Sequence, residues 1–177
     1  PGSLQGLPRL QLIQSLWAGV DRLLTDATLP QGVPIARMVD PAMSQAMAET
    51  AVWATIALQR DFFTYAAQQR QGLWRQHAQR RADEWPVLIL GQGEMGRTAA
   101  SALQGCGFPV SHWSRRSGLS LQDLLPRCRV LINLLPLTPQ TEGLLDATLF
   151  AALPRGAGVV NLARGRHLVD DDLLAAL

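Results

Sequence analysis

The chain of 177 residues contains no lysine; all 16 of its basic residues are arginines. That excludes Schiff-base chemistry and every other lysine-based catalysis within these residues. Nothing chemical demands the bias, which reads as genomic base composition. Cysteine is scarce as well. Cys106 and Cys128 lie far apart and form no C-x-x-C pair, which speaks for a reduced cytoplasmic protein. No block of one charge sign occurs. The formal net charge is +2, and the densest basic clusters are the pairs Arg80–Arg81 and Arg115–Arg116. A nucleic-acid binder concentrates its arginines on one element, so no nucleic-acid partner is expected. No apolar run reaches membrane-spanning length, so no membrane partner is expected either. Internal repeats and low-complexity segments are absent.

Against these absences stand 47% hydrophobic and 17% charged residues, enough to bury a core. The length fits one large domain, or one domain with a piece of another. The first residues, "PGSLQG", lack a Met, and the last, "VDDDLLAAL", open a helix with Asp170 as expected N-cap and no stop signal. Truncation at both ends is the expectation, so the activity of the chain is kept apart from that of its parent protein.

Residues 9–24 read as a short strand, a turn at Gly19 and the start of a helix, and "PIARMVD" (34–40) as another extended piece. Asp40 then caps a long helix with Pro41 at its first position. Met43, Met47, Ala51, Ala54, Leu58, Phe62 and Tyr65 recur every three or four residues. They predict one apolar stripe that serves core packing or a subunit interface. Residues 70–84 are polar and read as a surface excursion. From Trp85 the rhythm changes to strand "VLIL", a glycine-rich turn, a helix over 95–104 and strand "PVSHW". A helix opened by a Ser120–Asp123 capping box follows, then strand "RVLINLL", a short helix around 146–153 and strand "GAGVVNLA". Strands alternating with helices, each strand apolar throughout, predict an α/β fold: a doubly wound, Rossmann-like parallel sheet.

The stretch "VLILGQGEMGRTAASALQGCGF" (87–108) sets Gly91, Gly93 and Gly96 in the order G-x-G-x-x-G, after a strand and at the opening of a helix. In a dinucleotide site the first glycine permits the tight turn, the second admits the pyrophosphate, and the third lets helix and strand pack closely. A ligand-free glycine turn is the alternative. An NAD site usually ends its second strand with a carboxylate for the ribose hydroxyls. Here that strand ends in Ser114, Arg115, Arg116 and Ser117. A hydroxyl and guanidinium groups suit a 2′-phosphate, which favours NADP(H) over NAD(H); two solvated loop arginines are the alternative. His112, just before, reads as a packed strand residue.

Beyond the third and fourth strands stand "NLLPLTPQTEGLL" and "VVNLARGRHLVDDDLL". Together with "LWAGVD", "MAETAV", "GQGEMG" and "WSRR", these segments resemble the D-isomer-specific 2-hydroxyacid dehydrogenases, and within them the glyoxylate/hydroxypyruvate reductases of the bacterial A type. The resemblance covers nearly the whole chain. It implies a partial substrate domain over residues 1–40, a long helix and interdomain or dimer segment over 41–84, and an incomplete dinucleotide-binding domain over 85–177. It places the substrate-binding and catalytic arginine on Arg164, and carboxylate-binding backbone N–H groups on Ala18 and Gly19. Glu94 and Met95 fall at the pyrophosphate through their backbone, Leu135, Pro136 and Thr141 along the cofactor, and Ala163 against the nicotinamide. A fixed guanidinium also suits a 2-keto acid on physical grounds, since it can hold the carboxylate and polarise the adjacent carbonyl. No metal is implied; a homodimer is.

Two departures matter. Trp17 stands where relatives often carry a small residue. The family's general acid is a His held by a carboxylate, and both belong C-terminal to Leu177. None of His77, His112 and His167 has the family's Pro-His context, and His167 reads as a loop or helix-entry residue. The expected activity of the full-length protein is NADPH-dependent reduction of glyoxylate and hydroxypyruvate, with these residues alone inactive. Alternatives are a phosphoglycerate- or D-lactate-type dehydrogenase, a non-catalytic dinucleotide sensor of the corepressor kind, and a fragment that binds nothing.

Overall fold

The structure is a computed structural model that describes residues 2–177. It divides into two compact units, Pro1–Met43 and Ser44–Leu177. In the first, β1 (Ile13–Gln14) pairs in parallel with β2 (Ile35–Ala36), Ile13 opposite Ile35, and α1 (Asp21–Leu24) lies between them in sequence. The buried Ser15 turns the chain after β1: its hydroxyl accepts the Trp17 N–H at 3.1 Å.

Asp40 accepts the Ala42 N–H at 2.9 Å and starts α2 (Pro41–Gln59). The single helix expected through Tyr65 does not form. The chain breaks at Asp61, which adopts φ 54°, and α3 (Phe62–Arg70) begins afresh. The buried face of α2 also differs from the expected stripe. Ala51 and Ala54 are buried as expected, but their companions are Ser44, Ala48, Thr55 and Ala57, while Met43 and Met47 are half-buried and Phe62 is exposed. Small side chains let the helix axis approach the sheet, and bulk is moved to the flanks. At Gly158 a Cβ would meet Leu58 Cδ1 at 2.5 Å, so α2 crosses the sheet edge where no side chain intervenes.

The second unit carries a four-stranded parallel sheet of β3 (Val87–Leu90), β4 (Val110–Trp113), β5 (Val130–Asn133) and β6 (Gly158–Asn161), in the order β4-β3-β5-β6. Alternation sorts the strand residues onto two covered faces. Val87, Ile89, Val130 and Ile132 pack with Ala48 and Ala51 of α2 and with Ala99, Ala100 and Leu103 of α4 (Glu94–Gly105). Leu88, Leu90 and Leu131 pack on the other face with Trp113, Leu125, Leu145 and Leu149, the last from α6 (Ala147–Ala152). The fold is therefore α/β, a Rossmann-like sheet wound on both faces. Its chain order reverses at β3, between β4 and β5, which is where such sheets open a crevice beyond their strand ends.

Two expected caps are absent. Ser120 precedes α5 (Leu121–Leu124), but its side chain makes no capping bond. The helix is one turn and passes straight into a 3-10 turn holding Pro126. Asp170 is the first residue of α7 (Asp170–Ala176), and Val169 is its cap. The acidic first turn of α7 instead reaches α6: Asp172 accepts the Ala147 N–H at 2.9 Å.

Candidate dinucleotide and substrate site

The site begins at the end of β3. Gly91 has φ 121°, and a Cβ there would lie 3.0 Å from Leu134 O. At Gly96 a Cβ would lie 2.3 Å from Gly91 O. These two glycines are required by the turn and by the close seat of α4. Gly93 differs: a Cβ there would meet nothing within 4 Å, so it borders open space at the N-cap of α4. No side chain caps this helix, and its first internal bond runs from Arg97 N to Gly93 O at 3.0 Å. The N–H groups of Glu94, Met95 and Gly96 precede that bond and have no helical acceptor. They sit at the positive end of a 12-residue helix. The Glu94 carboxylate turns along the helix to Arg97 at 2.7 Å, which offsets its charge beside an anion site.

The β3–β4 ladder extends past Leu90, with Gly91 N donating to Trp113 O at 2.8 Å. Ser114 thus emerges beside the glycine turn, and its hydroxyl lies 3.3 Å from Gln92 Oε1. Ser117 closes a tight turn back onto Ser114 O through its N–H at 3.0 Å and its hydroxyl at 2.6 Å. Arg115 and Arg116 occupy the two central positions and are exposed. Among the described residues neither has an acidic partner, and no carboxylate stands at this strand end. His112 is half-buried on β4, with Nδ1 3.3 Å from Gly91 O.

Beyond β5 and β6 lies a set of contacts that sequence reasoning missed. Register pairs Asn133 with Asn161, and Asn133 Nδ2 donates to Asn161 Oδ1 at 3.1 Å. Each asparagine also turns its own strand end: Asn133 Oδ1 accepts Leu135 N at 3.1 Å, and Asn161 Oδ1 accepts Ala163 N at 3.2 Å. Asn161 Nδ2 then donates to Arg164 O at 2.9 Å. The available signal was an Asn at the end of two apolar runs, "INLL" and "VNLA", where its side chain favours a local turn. In the loop after β5, Leu135 is buried in the core, Thr141 is buried with its hydroxyl on Pro136 O at 2.7 Å, and Pro136 is exposed. Arg164 is exposed, with Nη1 on Ala163 O at 3.0 Å, and has a further interaction. Arg166 pairs with Glu142 at 2.6 Å, a second tie between the two loops.

His167, expected in a loop or at a helix entry, ends the 3-10 turn Gly165–His167 ahead of α7 and is fully buried, at 0% exposure. Its Nδ1 lies 3.3 Å from Arg164 N and its Nε2 3.4 Å from Pro136 O. Ala18 and Gly19 belong to the other compact unit, on the segment between Trp17 and α1. Among the described residues neither of their N–H groups has a protein acceptor. His77 lines a shallow hollow of about 370 Å³ with Arg60, Tyr65 and Gln79; none of the expected site residues borders it.

The second unit therefore presents, beyond the carboxyl ends of its parallel strands, an uncapped helix N-terminus, a doubly basic turn and an arginine after β6. A pyrophosphate fits the first, a 2′-phosphate the second, and a small carboxylate the third. Residues 52–177 match the family model of the D-isomer specific 2-hydroxyacid dehydrogenase, NAD binding domain. The chain belongs to this family. It is 40% identical to a glyoxylate/hydroxypyruvate reductase A of Serratia proteamaculans, with 96% of the chain and 59% of the relative covered. Among solved structures it resembles a D-isomer specific 2-hydroxyacid dehydrogenase of Xanthobacter autotrophicus in complex with NADPH and MES (TM-score 0.91, 41% identity, 96% and 57% covered). It also resembles an NADPH-dependent glyoxylate/hydroxypyruvate reductase of Sinorhizobium meliloti in complex with NADP and sulfate (TM-score 0.89, 35% identity, 96% and 58% covered). The chain thus spans less than three fifths of each relative's length.

Proposed function

We propose that the complete protein reduces small 2-keto acids, glyoxylate and hydroxypyruvate, to 2-hydroxy acids, with NADP(H) preferred over NAD(H). The observation that carries this reading is the Ser114–Ser117 turn, which offers two unpaired guanidinium groups and no carboxylate beside the glycine turn. An aspartate there would repel a 2′-phosphate; Arg115 and Arg116 bind one, with Ser114 beside them. The relatives' names, and their complexes with NADPH or NADP, support the same reading.

The residue roles are those that the resemblance implies. Gly91 makes the turn, Gly96 seats α4 closely, and Gly93 leaves space for the pyrophosphate, which the backbone N–H groups of Glu94 and Met95 hold. Leu135, Pro136 and Thr141 shape the wall along the cofactor, and Ala163 faces its nicotinamide. The bound cofactor supplies hydride to the keto carbon. Arg164 is the catalytic residue of this chain: it orients the substrate carboxylate and stabilises charge growing on the carbonyl oxygen. The resemblance gives Ala18 and Gly19, in the first unit, a substrate-binding role through their backbone N–H groups. The resemblance assigns proton delivery to a His paired with a carboxylate, and none of His77, His112 and His167 stands in that context. In domain terms, residues 1–40 are part of a substrate domain, 41–84 an interdomain and dimer segment, and 85–177 the cofactor domain. A cytoplasmic homodimer fits two free cysteines and an exposed apolar surface on α2 and α3, where Trp53 meets Phe63 edge-on at 6.2 Å.

The test is to express the complete gene and follow oxidation of NADPH and NADH in parallel with glyoxylate or hydroxypyruvate. Turnover that strongly prefers NADPH is expected. Turnover with NADH alone refutes the role given to Arg115 and Arg116. Binding of NADPH without turnover of either acid points to a dinucleotide sensor instead.

A further inference from the structure

We infer that His167 is a positioning residue: a neutral imidazole that locks the turn carrying Arg164 to the loop beyond β5. The inference rests on the reading of Arg164 as the keto-acid anchor.

His167 is the one histidine at 0% exposure among the described residues, and both of its ring nitrogens are engaged. Nε2 faces Pro136 O at 3.4 Å. A carbonyl only accepts, so Nε2 carries the proton. Nδ1 faces Arg164 N at 3.3 Å and Arg164 O at 3.1 Å. Arg164 N–H only donates. Arg164 O already receives the Asn161 amide at 2.9 Å and the His167 N–H at 3.1 Å. Nδ1 is therefore the acceptor for Arg164 N–H, and the neutral Nε2–H tautomer meets every partner.

The fold gives this contact its meaning. Arg164 is the cap of the 3-10 turn Gly165–His167, and His167 is the third residue of that turn. A side chain at this place that reaches back to the cap N–H does what Glu or Gln does in a capping box. An imidazole has a second nitrogen to spare, and His167 uses it on the neighbouring loop. Pro136 O, its target there, also receives the Thr141 hydroxyl at 2.7 Å. Asn133 and Asn161 close the ring on the sheet side at 3.1 Å. The Arg164 backbone is thereby held from both sides, and the loop along the cofactor is held by the same ring. His167 touches no substrate in this account. It fixes where the Arg164 guanidinium starts from.

The test uses the protein from the complete gene and three variants. His167→Phe keeps the ring volume and removes both polar contacts. His167→Gln keeps one donor and one acceptor. The third variant is Arg164→Gln. His167→Phe is expected to lower kcat/KM for the keto acid roughly ten- to a hundredfold, the effect of two lost buried hydrogen bonds, and to change NADPH affinity much less. His167→Gln is expected to recover most of that loss. Because His167 acts through Arg164, His167→Phe is expected to cost almost nothing more in the Arg164→Gln background. Additive losses, or no loss in the single variant, overturn the inference while leaving the proposed function intact. A wild-type protein that turns over no 2-keto acid removes the anchor role of Arg164, and this inference with it. A further readout needs no variant: long-range nitrogen–proton correlation of the His167 ring is expected to report the neutral Nε2–H tautomer. An Nδ1–H tautomer or an imidazolium at neutral pH contradicts it.

Discussion

On the proposed function, Arg115 and Arg116 set the choice between NADP(H) and NAD(H). They crown a turn whose backbone is closed by Ser114 and Ser117, so the guanidinium groups are presented rather than tethered. Charge-assisted hydrogen bonds to a phosphate are worth about 1.5–3 kcal/mol each. Replacing both arginines by serine is expected to weaken NADPH binding by roughly two to four orders of magnitude and NADH binding far less, as read by fluorescence titration. An equal loss for both cofactors would mean that the pair only steers anions in general. These residues were legible in the sequence because charge at a strand end has few uses. His167, Asn133 and Asn161 were not. Their importance lies in register and burial: Asn133 meets Asn161 only because β5 and β6 pair at that position, and a buried His looks like any other His until the fold encloses it.

At the scale of elements, the β3–α4 unit holds two glycines that are needed for different reasons. A Cβ on Gly96 would collide with Gly91 O at 2.3 Å, and backbone cannot step aside as a flexible side chain can. Gly96→Ala is expected to cost roughly 1–3 kcal/mol and to lower the melting temperature by several degrees. Gly93→Ala meets nothing within 4 Å, so its melting temperature is expected to hold while NADPH affinity falls. Thermal melts with cofactor titrations separate the two, and a destabilised Gly93→Ala would contradict the assignment of that space to a ligand. β3 and β5 were legible because each is an apolar run bounded by turn residues. The helix before them was misread in two respects. Periodicity marked a Met and aromatic stripe, but close packing selected the alanine face. The break at Asp61 also went unseen, because a left-handed aspartate carries no signal in hydrophobic spacing.

For the molecule as a whole, the sheet core is closed to solvent and to chemistry. Burial pushes the Cys128 thiol up from 9.0 to about 12, with backbone hydrogen bonds at Leu88 and Val130 opposing the shift. Below pH 9 the thiol is protonated folded or unfolded and has no effect on the balance. Stability is expected to fall as pH rises from 9 through about 12, because the unfolded chain releases this proton first. In the native protein a thiol reagent should modify the exposed Cys106 at once and Cys128 only on unfolding; rapid native labelling of both would show that the core opens. On the proposed function, the complete protein transfers hydride from NADPH to a keto acid and forms the D-hydroxy acid. This central claim is tested most directly with hydroxypyruvate and NADPH deuterated at the transferring position, the NADH analogue being run beside it. Deuterium at C2 of the D-hydroxy acid, delivered far faster from the NADPH analogue, is the result this account expects. Product without label, product of the L configuration, or faster transfer from the NADH analogue would contradict it.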